Sequence, residues 1–422
     1  MGMVRIVSYK DIDRGEWETL VRESATGTWF QSAEAYALFA SLPELFEPFV
    51  VGIQKPSPDP SLKGGELQGI CVGYVTKERS RLKQFFTGRA IIPGGPCLAD
   101  DATDEEVTAL MRAVSGKNIS NLGFQISNLS KRVSELGRPI YIETRNFNDY
   151  SRWKGAFAEA GFAYKPHLNF HVDCRDKAMM WERLSDNRKR QIRRGFFNLG
   201  FQISNFKFED CYLDSLERSA QSRADLGFLI SASLERSAKA VQISDFKLLD
   251  EIVTEQDVRE WYAILEKLYR TKVKTPLWPV EFFLAAHRQG VGQFILIRHE
   301  GKIIGGSMVV RKPTPGPSLK GGEMEKAGEN GVVYEWYECG MNAEYKEQYP
   351  SVMATWAGML YAHEQGCARY DMMGAGEPGV PYGVRDFKSE FGGQMVEHGR
   401  YLCICKPALY KIGCWGVKLL RG

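Results

Sequence analysis

Five of the eight residues from Asn187 to Arg194 are basic: Arg188, Lys189, Arg190, Arg193 and Arg194. On a helix, Arg190, Arg193 and Arg194 fall at i, i+3 and i+4 and share one face. Cations in that spacing suit phosphate, of a nucleotide or of RNA. A solvated helix with ordinary ion pairs has the same spacing, so both readings stand. The second feature is glycine-rich: Asp371-Met-Met-Gly-Ala-Gly-Glu-Pro-Gly-Val-Pro-Tyr-Gly383, then Val384 to Gly393. Glycines after a strand let backbone N–H groups approach a phosphate or carboxylate. Arg385 and Lys388 set two cations beside Gly383. The glycine spacing fits neither a P-loop nor a dinucleotide fingerprint, and a plain loop between two strands is the alternative.

Other chemistries find little support. The histidines, His167, His171, His287, His299, His363 and His398, form no metal-binding spacing, so no metal and no cofactor is expected. No Gly-x-Ser-x-Gly elbow occurs, which argues against a hydrolase triad. Nine scattered cysteines without Cys-x-x-Cys read as reduced thiols. Cys403 and Cys405 alternate on a strand and read as filler. The aromatics Tyr334, Trp336 and Tyr337, and Tyr345 with Tyr349, read as packing.

Lys+Arg 55 against Asp+Glu 52 gives +3, too small to imply nucleic acid as a total. An apolar fraction of 44% excludes a disordered tail, a collagen-like chain or a coiled-coil rod. The N-terminus lacks a signal-peptide core, and no window approaches the roughly 18 apolar residues that read as a membrane span. A cytoplasmic protein is expected. The tail from Ala408 to Gly422 mixes Leu409, Ile412, Trp415, Val417 and Leu420 with Lys411, Lys418 and Arg421. It suits either a membrane surface, at the inner face, or packing on its own domain.

The elements that must hold these features read as two similar α/β halves. In the first, a strand at Arg5–Tyr9 precedes helices from Asp13 to Glu23 and from Ser32 to Ala40. Strands follow near 47–54 and 67–76, a helix from Thr103 to Ser115, a strand at Pro139–Glu143, a helix from Asp149 to Ala160 and a strand from Phe162 to Val172. In the second, helices at Val258–Tyr269 and Pro279–Arg288 precede strands at Gln293–Arg298, Lys302–Val310 and Val332–Gly340. A helix from Ser351 to Glu364 and strands at Ala368–Met373 and Tyr401–Cys405 complete it.

Near-copies interrupt the halves. Residues 56–66 recur at 313–323, 121–128 at 198–205, and 215–220 at 233–238. They have no fixed period and read as inserted text without catalytic role, the first pair as hairpin tips. The expected division is 1–176, with inserts at 56–66 and about 117–135, and 177–422, with an arm at 195–247 and a hairpin insert at 313–329.

Two tandem mixed α/β halves, the basic helix start at 187–194, and Asp371-Met-Met-Gly followed by Phe387-Lys-Ser-Glu-Phe-Gly392 resemble the Fem family of peptidyltransferases. Thr28-Trp-Phe-Gln-Ser32, Pro93-Gly-Gly-Pro96 and Tyr141-Ile-Glu-Thr-Arg-Asn146 add to the resemblance. It implies two tandem GNAT-like domains with mixed central sheets flanked by helices. It implies transfer of an amino acid from aminoacyl-tRNA to the stem peptide of a peptidoglycan precursor, lipid II or UDP-muramyl-pentapeptide, in cell-wall bridge formation. Lys388 then stabilises the tetrahedral intermediate or the tRNA leaving group, and Phe387 positions it. Arg385, Asp386, Tyr382, Gly374, Gly376 and Gly383 become precursor-binding candidates. Arg188, Lys189, Arg190, Arg193 and Arg194 become candidates for tRNA or phosphate. The rivals are an acyl-CoA-dependent N-acyltransferase and a non-catalytic RNA- or precursor-binding protein of the same fold. Against coenzyme A, the stretch from Asn342 to Ser351 has no glycine and two glutamates where a pyrophosphate-cradling loop is expected.

Overall fold

The computed structural model describes residues 5–56, 65–78, 81–116, 139–199, 252–312 and 331–421. The repeated inserts lie for the most part outside these residues. In the first half, β1 is Arg5–Ser8, α1 Arg14–Glu23, α2 Ala33–Ala40, β2 Phe46–Lys55, β3 Glu66–Thr76, α3 Arg81–Thr87, β4 Ala90–Gly94 and β5 Cys97–Leu98. Then come α4 Asp104–Ser115, β6 Tyr141–Asn146, α5 Lys154–Glu159, β7 Ala163–Lys165 and β8 Leu168–Asp173. The second half has α6 Lys177–Arg183, α7 Asp186–Asn198, α8 Glu255–Leu268, α9 Val280–Arg288, β9 Gln293–His299, β10 Lys302–Arg311 and β11 Val332–Gly340. It closes with α10 Pro350–Glu364, β12 Arg369–Gly374, α11 Gly383–Ser389, β13 Gln394–Glu397, β14 Arg400–Ile404 and α12 Pro407–Arg421.

Local chemistry sets the helix starts. The Asp13 side chain accepts from Glu16 N, Ser32 from Ala35 N, and Thr103 and Thr254 each form a capping box. Each satisfies an N–H that the first helical turn leaves unpaired. Gly116 ends α4 in the left-handed region.

The strands form two mixed sheets flanked by helices. The first runs β1-β2-β3-β4-β6-β14-β7, with β5 on β3; the second runs β13-β8-β12-β11-β10-β9. In each, a hairpin leads to a strand, a helix and a parallel strand: β2-β3-β4-α4-β6 and β9-β10-β11-α10-β12. This internal repeat is what two tandem GNAT-like units would give. Lys55 pairs with Glu66, and Arg311 with Val333, so the repeated proline-rich segments join paired strands.

The strand expected over Phe162–Val172 is two strands. It breaks at Pro166, whose ring removes a ladder donor. β7 stays in the first sheet and β8 enters the second; β14, near the chain's end, returns to the first. Strands therefore cross the divide expected at 176 in both directions. The crossing points touch where Gly399 N donates to His167 O at 3.1 Å.

An aromatic core joins the halves. Trp29 lies 5.5 Å from Trp336, Phe30 5.5 Å from Tyr334, and Phe46 4.6 Å from Trp278, between ring centres. Burying each such ring contributes about 2–3 kcal/mol relative to exposure. Trp336 and its neighbours are thus packing residues, and Tyr345 and Tyr349 pack on the core around α10.

Candidate active site

The site begins where two strands part. β11 pairs with β12 only from Val332↔Arg369 to Tyr334↔Asp371, yet β11 continues to Gly340. β12 then carries an irregularity between Asp371 and Gly374. Met373 sits there at φ +59, and its N–H donates to Asp371 Oδ1 at 2.7 Å. A non-glycine residue in the left-handed region stores about 1–3 kcal/mol of strain, and such strain gathers at functional sites. The carbonyls of Met372 and Gly374 both reach the amino group of Lys388 from α11: Lys388 Nζ donates to Met372 O, and to Gly374 O at 2.9 Å. These use two of its three donors.

Three acidic side chains, Glu335, Asp371 and Glu338, act electrostatically on that buried amino group. Burial pulls the Lys388 pKa below the usual lysine range, opposed by Glu335, Asp371 and Glu338. Glu335 Oε1 accepts from Tyr370 Oη at 2.8 Å and from Thr355 Oγ1 at 3.0 Å, and burial raises its pKa. The Asp371 pKa is pushed up by burial but ends below the usual range, held down chiefly by His171, whose Nε2 is 3.2 Å from Asp371 Oδ2, and by Arg369. Burial, then the neighbouring Glu335, pushes Glu338 up to about 8. Glu338 Oε1 has no hydrogen-bond partner among the described residues.

Glu338 makes a test. Between its ordinary 4.5 and about 8, the folded state holds a proton that the unfolded chain has released. Stability therefore falls as pH rises through that window. Glu338→Gln should stabilise the protein above pH 8 by on the order of 2 kcal/mol, and hardly at pH 5. Thermal melts of both proteins at the two pH values check this; the same difference at both would reject the assignment.

α11 is held from beneath by α7. The Arg188 guanidinium is buried, 4.5 Å from the Phe387 ring centre and 5.0 Å from that of Phe391. It donates to Phe387 O at 3.2 Å and to Gln191 Oε1 at 2.5 Å, and lies 3.6 Å from Glu390. The other cations of α7 have separate situations. Lys189 donates to Glu182 O at 2.9 Å, and Arg193 lies 5.2 Å from the Trp181 ring centre. Arg190 and Arg194 are exposed, Arg190 donating to Asn187 at 2.8 Å. The expected cationic face is thus narrowed to Arg190 and Arg194, while Arg188 faces inward.

The glycine-rich loop is closed by Arg385, which donates to Ala375 O at 2.9 Å, to Val380 O at 3.0 Å and to Glu377 O. Its guanidinium shapes the loop. Gly376 sits at φ +80, and an added Cβ would lie 2.9 Å from the Tyr382 ring. Tyr382, Asp386 and Gly383 are exposed at the start of α11.

Two clefts flank β8 and β12, sharing His171 and Arg369. One of about 480 Å³ is also lined by Thr26, Asn148, Arg152 and His398; the other, about 670 Å³, by Arg175, Arg183 and Gly392. Burial, then His171, lowers His398 to about 4, so this ring is neutral near pH 7. Among the described residues, no cluster of His, Cys, Asp and Glu could hold a metal ion.

Glu335, Glu338 and His171 were not legible as site residues. Val309 pairs with Glu335 but Met308 with Tyr337, so Trp336 is an extra residue on β11. The bulge shifts the alternation by one and turns Glu335 and Glu338 to the same face. Two acidic residues inside an otherwise apolar strand were the available signal.

Residues 329–413 match the FemAB family. That stretch runs from β11 to α12 and contains Lys388, and the Fem resemblance drawn from the sequence is borne out there. No curated protein matches the chain. Among solved structures, FemX aligns over 95% of this chain and 98% of its own, at 13% identity and a TM-score of 0.49. L-PGS from Bacillus licheniformis aligns over 97% and 96%, at 11% identity and 0.42. A tandem GNAT protein from the clavulanic acid biosynthesis pathway aligns over 94% and 98%, at 8% identity and 0.42.

Proposed function

We propose that this chain, a Fem-family protein over residues 329–413, is an aminoacyltransferase. It moves an amino acid from aminoacyl-tRNA to an amino group on the stem peptide of a peptidoglycan precursor, lipid II or UDP-muramyl-pentapeptide, in cell-wall bridge synthesis. The observation that carries this reading is Lys388, buried beneath the distorted end of β12 within the matched segment.

The reaction is aminolysis of an ester. The acceptor nitrogen attacks the ester carbonyl carbon, and the C–N bond forms. The C–O bond to the ribose breaks, and the proton lost by the amine ends on the ribose oxygen. Charge develops first on the carbonyl oxygen and then on the leaving oxygen. A fixed ammonium beside either stabilises the transition state without reorganising. Lys388 is fixed in that way, with one donor left over. Phe387 holds α11 on the core, and the exposed Tyr382 and Asp386 stand where the acceptor peptide would approach. In this reading Arg190 and Arg194, exposed on the helix beneath α11, meet tRNA phosphates. The donor and acceptor place the protein in the cytoplasm.

Coenzyme A fits less well. The start of α10 is capped by Asn342, whose side chain accepts from Ser351 N at 3.2 Å and donates to Ser351 Oγ at 2.7 Å. That occupies one backbone donor, Ser351 N, at the helix start where a pyrophosphate would otherwise be cradled. The test is a competition: the protein is given labelled aminoacyl-tRNA, labelled acetyl-CoA and a muramyl-pentapeptide precursor. Label should pass from tRNA to the peptide amine. Transfer from acetyl-CoA alone would overturn the proposal.

A further inference from the structure

Helices α3 and α12 are far apart in sequence but anchored on one residue. Ile140 N donates to Gly88 O at 2.7 Å, just past α3. Ile140 O accepts from Cys405 N at 2.9 Å and Lys406 N at 3.0 Å, just before α12. Lys406 Nζ lies 4.3 Å from the Phe85 ring centre, and Tyr410 of α12 packs on Tyr141 at 5.7 Å. This brings the end of α3 and the start of α12 together beside the ends of β4, β6 and β14 in the first sheet.

Their exposed side chains are largely apolar, joined by Lys411, and both helices are basic in sequence. Phe85 is 50% exposed, Phe86 52%, Ile412 62% and Trp415 66%. Large apolar side chains grouped in water need a reason. α3 carries Arg81 and Lys83; α12 carries Lys411, Lys418 and Arg421; neither has an acidic residue, and none occurs from His398 to Gly422.

We propose that α3 and α12 together form a docking surface for an anionic lipid bilayer. Aromatic and aliphatic side chains would enter the headgroup boundary while the cations meet lipid phosphates. At about 1.5 Å per residue α12 spans about 22 Å, short of a hydrocarbon core of about 30 Å, so it lies along the surface. Among the described residues no helix is long and apolar enough to cross a membrane. A second copy of the chain is the poorer occupant, because it would set cations against cations. The inference concerns binding alone and stands apart from the reaction proposed above.

The test uses the full chain with sedimenting vesicles, of phosphatidylcholine alone or mixed with phosphatidylglycerol. Partition into the anionic vesicles should be about tenfold greater, and should fall as salt rises. Ile412→Ser with Trp415→Ser, and separately Phe85→Ser with Phe86→Ser, should each lower it about tenfold. Melting temperatures should not change, because these side chains are exposed. Equal partition into both vesicle types would overturn the proposal. So would unchanged partition of either double variant, or a dimer that the Trp415→Ser substitution dissociates. Variants that lose vesicle binding should still transfer to a soluble precursor, which keeps this outcome distinct from the reaction.

Discussion

Replacing Lys388 by alanine lowers turnover about 100-fold or more, while KM for charged tRNA and for the precursor changes little. The reason lies in what the amino group does. It is fixed by two carbonyls at the irregular end of β12, in a place where water is excluded. A charge held there acts on the developing oxyanion and contributes little to ground-state binding. Truncation also leaves the Met372 and Gly374 carbonyls without their donor, so some stability is lost, by about 1–3 kcal/mol. Lys388→Met fills the space and keeps the packing; it should lower turnover as far as alanine does while melting closer to the parent. Lys388→Arg should not restore activity, since a planar guanidinium cannot present the same point charge to those carbonyls. Steady-state kinetics with each substrate varied in turn, and thermal melts of all three variants, check this. A variant that folds and retains full turnover would remove Lys388 from the chemistry.

The elements of the fold were largely readable, for reasons that differ by element. Caps at Asp13, Ser32 and Thr103 start helices at the expected places, because a side-chain oxygen that satisfies a first-turn N–H is a local signal. The parallel crossings were implied by the helix-strand order. What was not readable is non-local. The exchange of β8 and β14 between sheets depends on which edge each strand meets after the chain has folded back. The motifs that carry the resemblance prove mostly to be joints. Gln31 bridges β3 and β4, its side chain bonding Val72 N, Val72 O and Pro93 O. Gly94, at φ +81, abuts Thr28 so closely that a Cβ would lie 2.3 Å from Thr28 Oγ1. Trp29 and Phe30 fill the core shared by both halves. Lys388 stood out because a short motif carries it. Its partners Glu335 and Glu338 did not, because a one-residue bulge decides which way they face.

The basic run at 187–194 shows why charge in a sequence does not by itself indicate a ligand. Arg188 has the same composition signal as Arg190 and Arg194, yet its guanidinium lies under Phe387 and Phe391 while theirs are in solvent. The two kinds of arginine should fail differently. Arg188→Ala removes the stacked plane, leaves the Phe387 carbonyl without that donor, and opens a cavity beneath α11. It should cost about 2–4 kcal/mol of stability. Turnover should fall about ten- to a hundredfold, because α11 is then free to shift and a displacement near 1 Å is enough for that. KM for charged tRNA should hold. Arg190→Glu with Arg194→Glu should leave stability within about 0.5 kcal/mol, raise KM for charged tRNA, and flatten its dependence on salt. Melts together with KM and kcat across a salt series separate the two patterns. If Arg188→Ala melted normally and raised only KM for tRNA, the residue would be a phosphate ligand, and the packing role assigned to it here would be wrong.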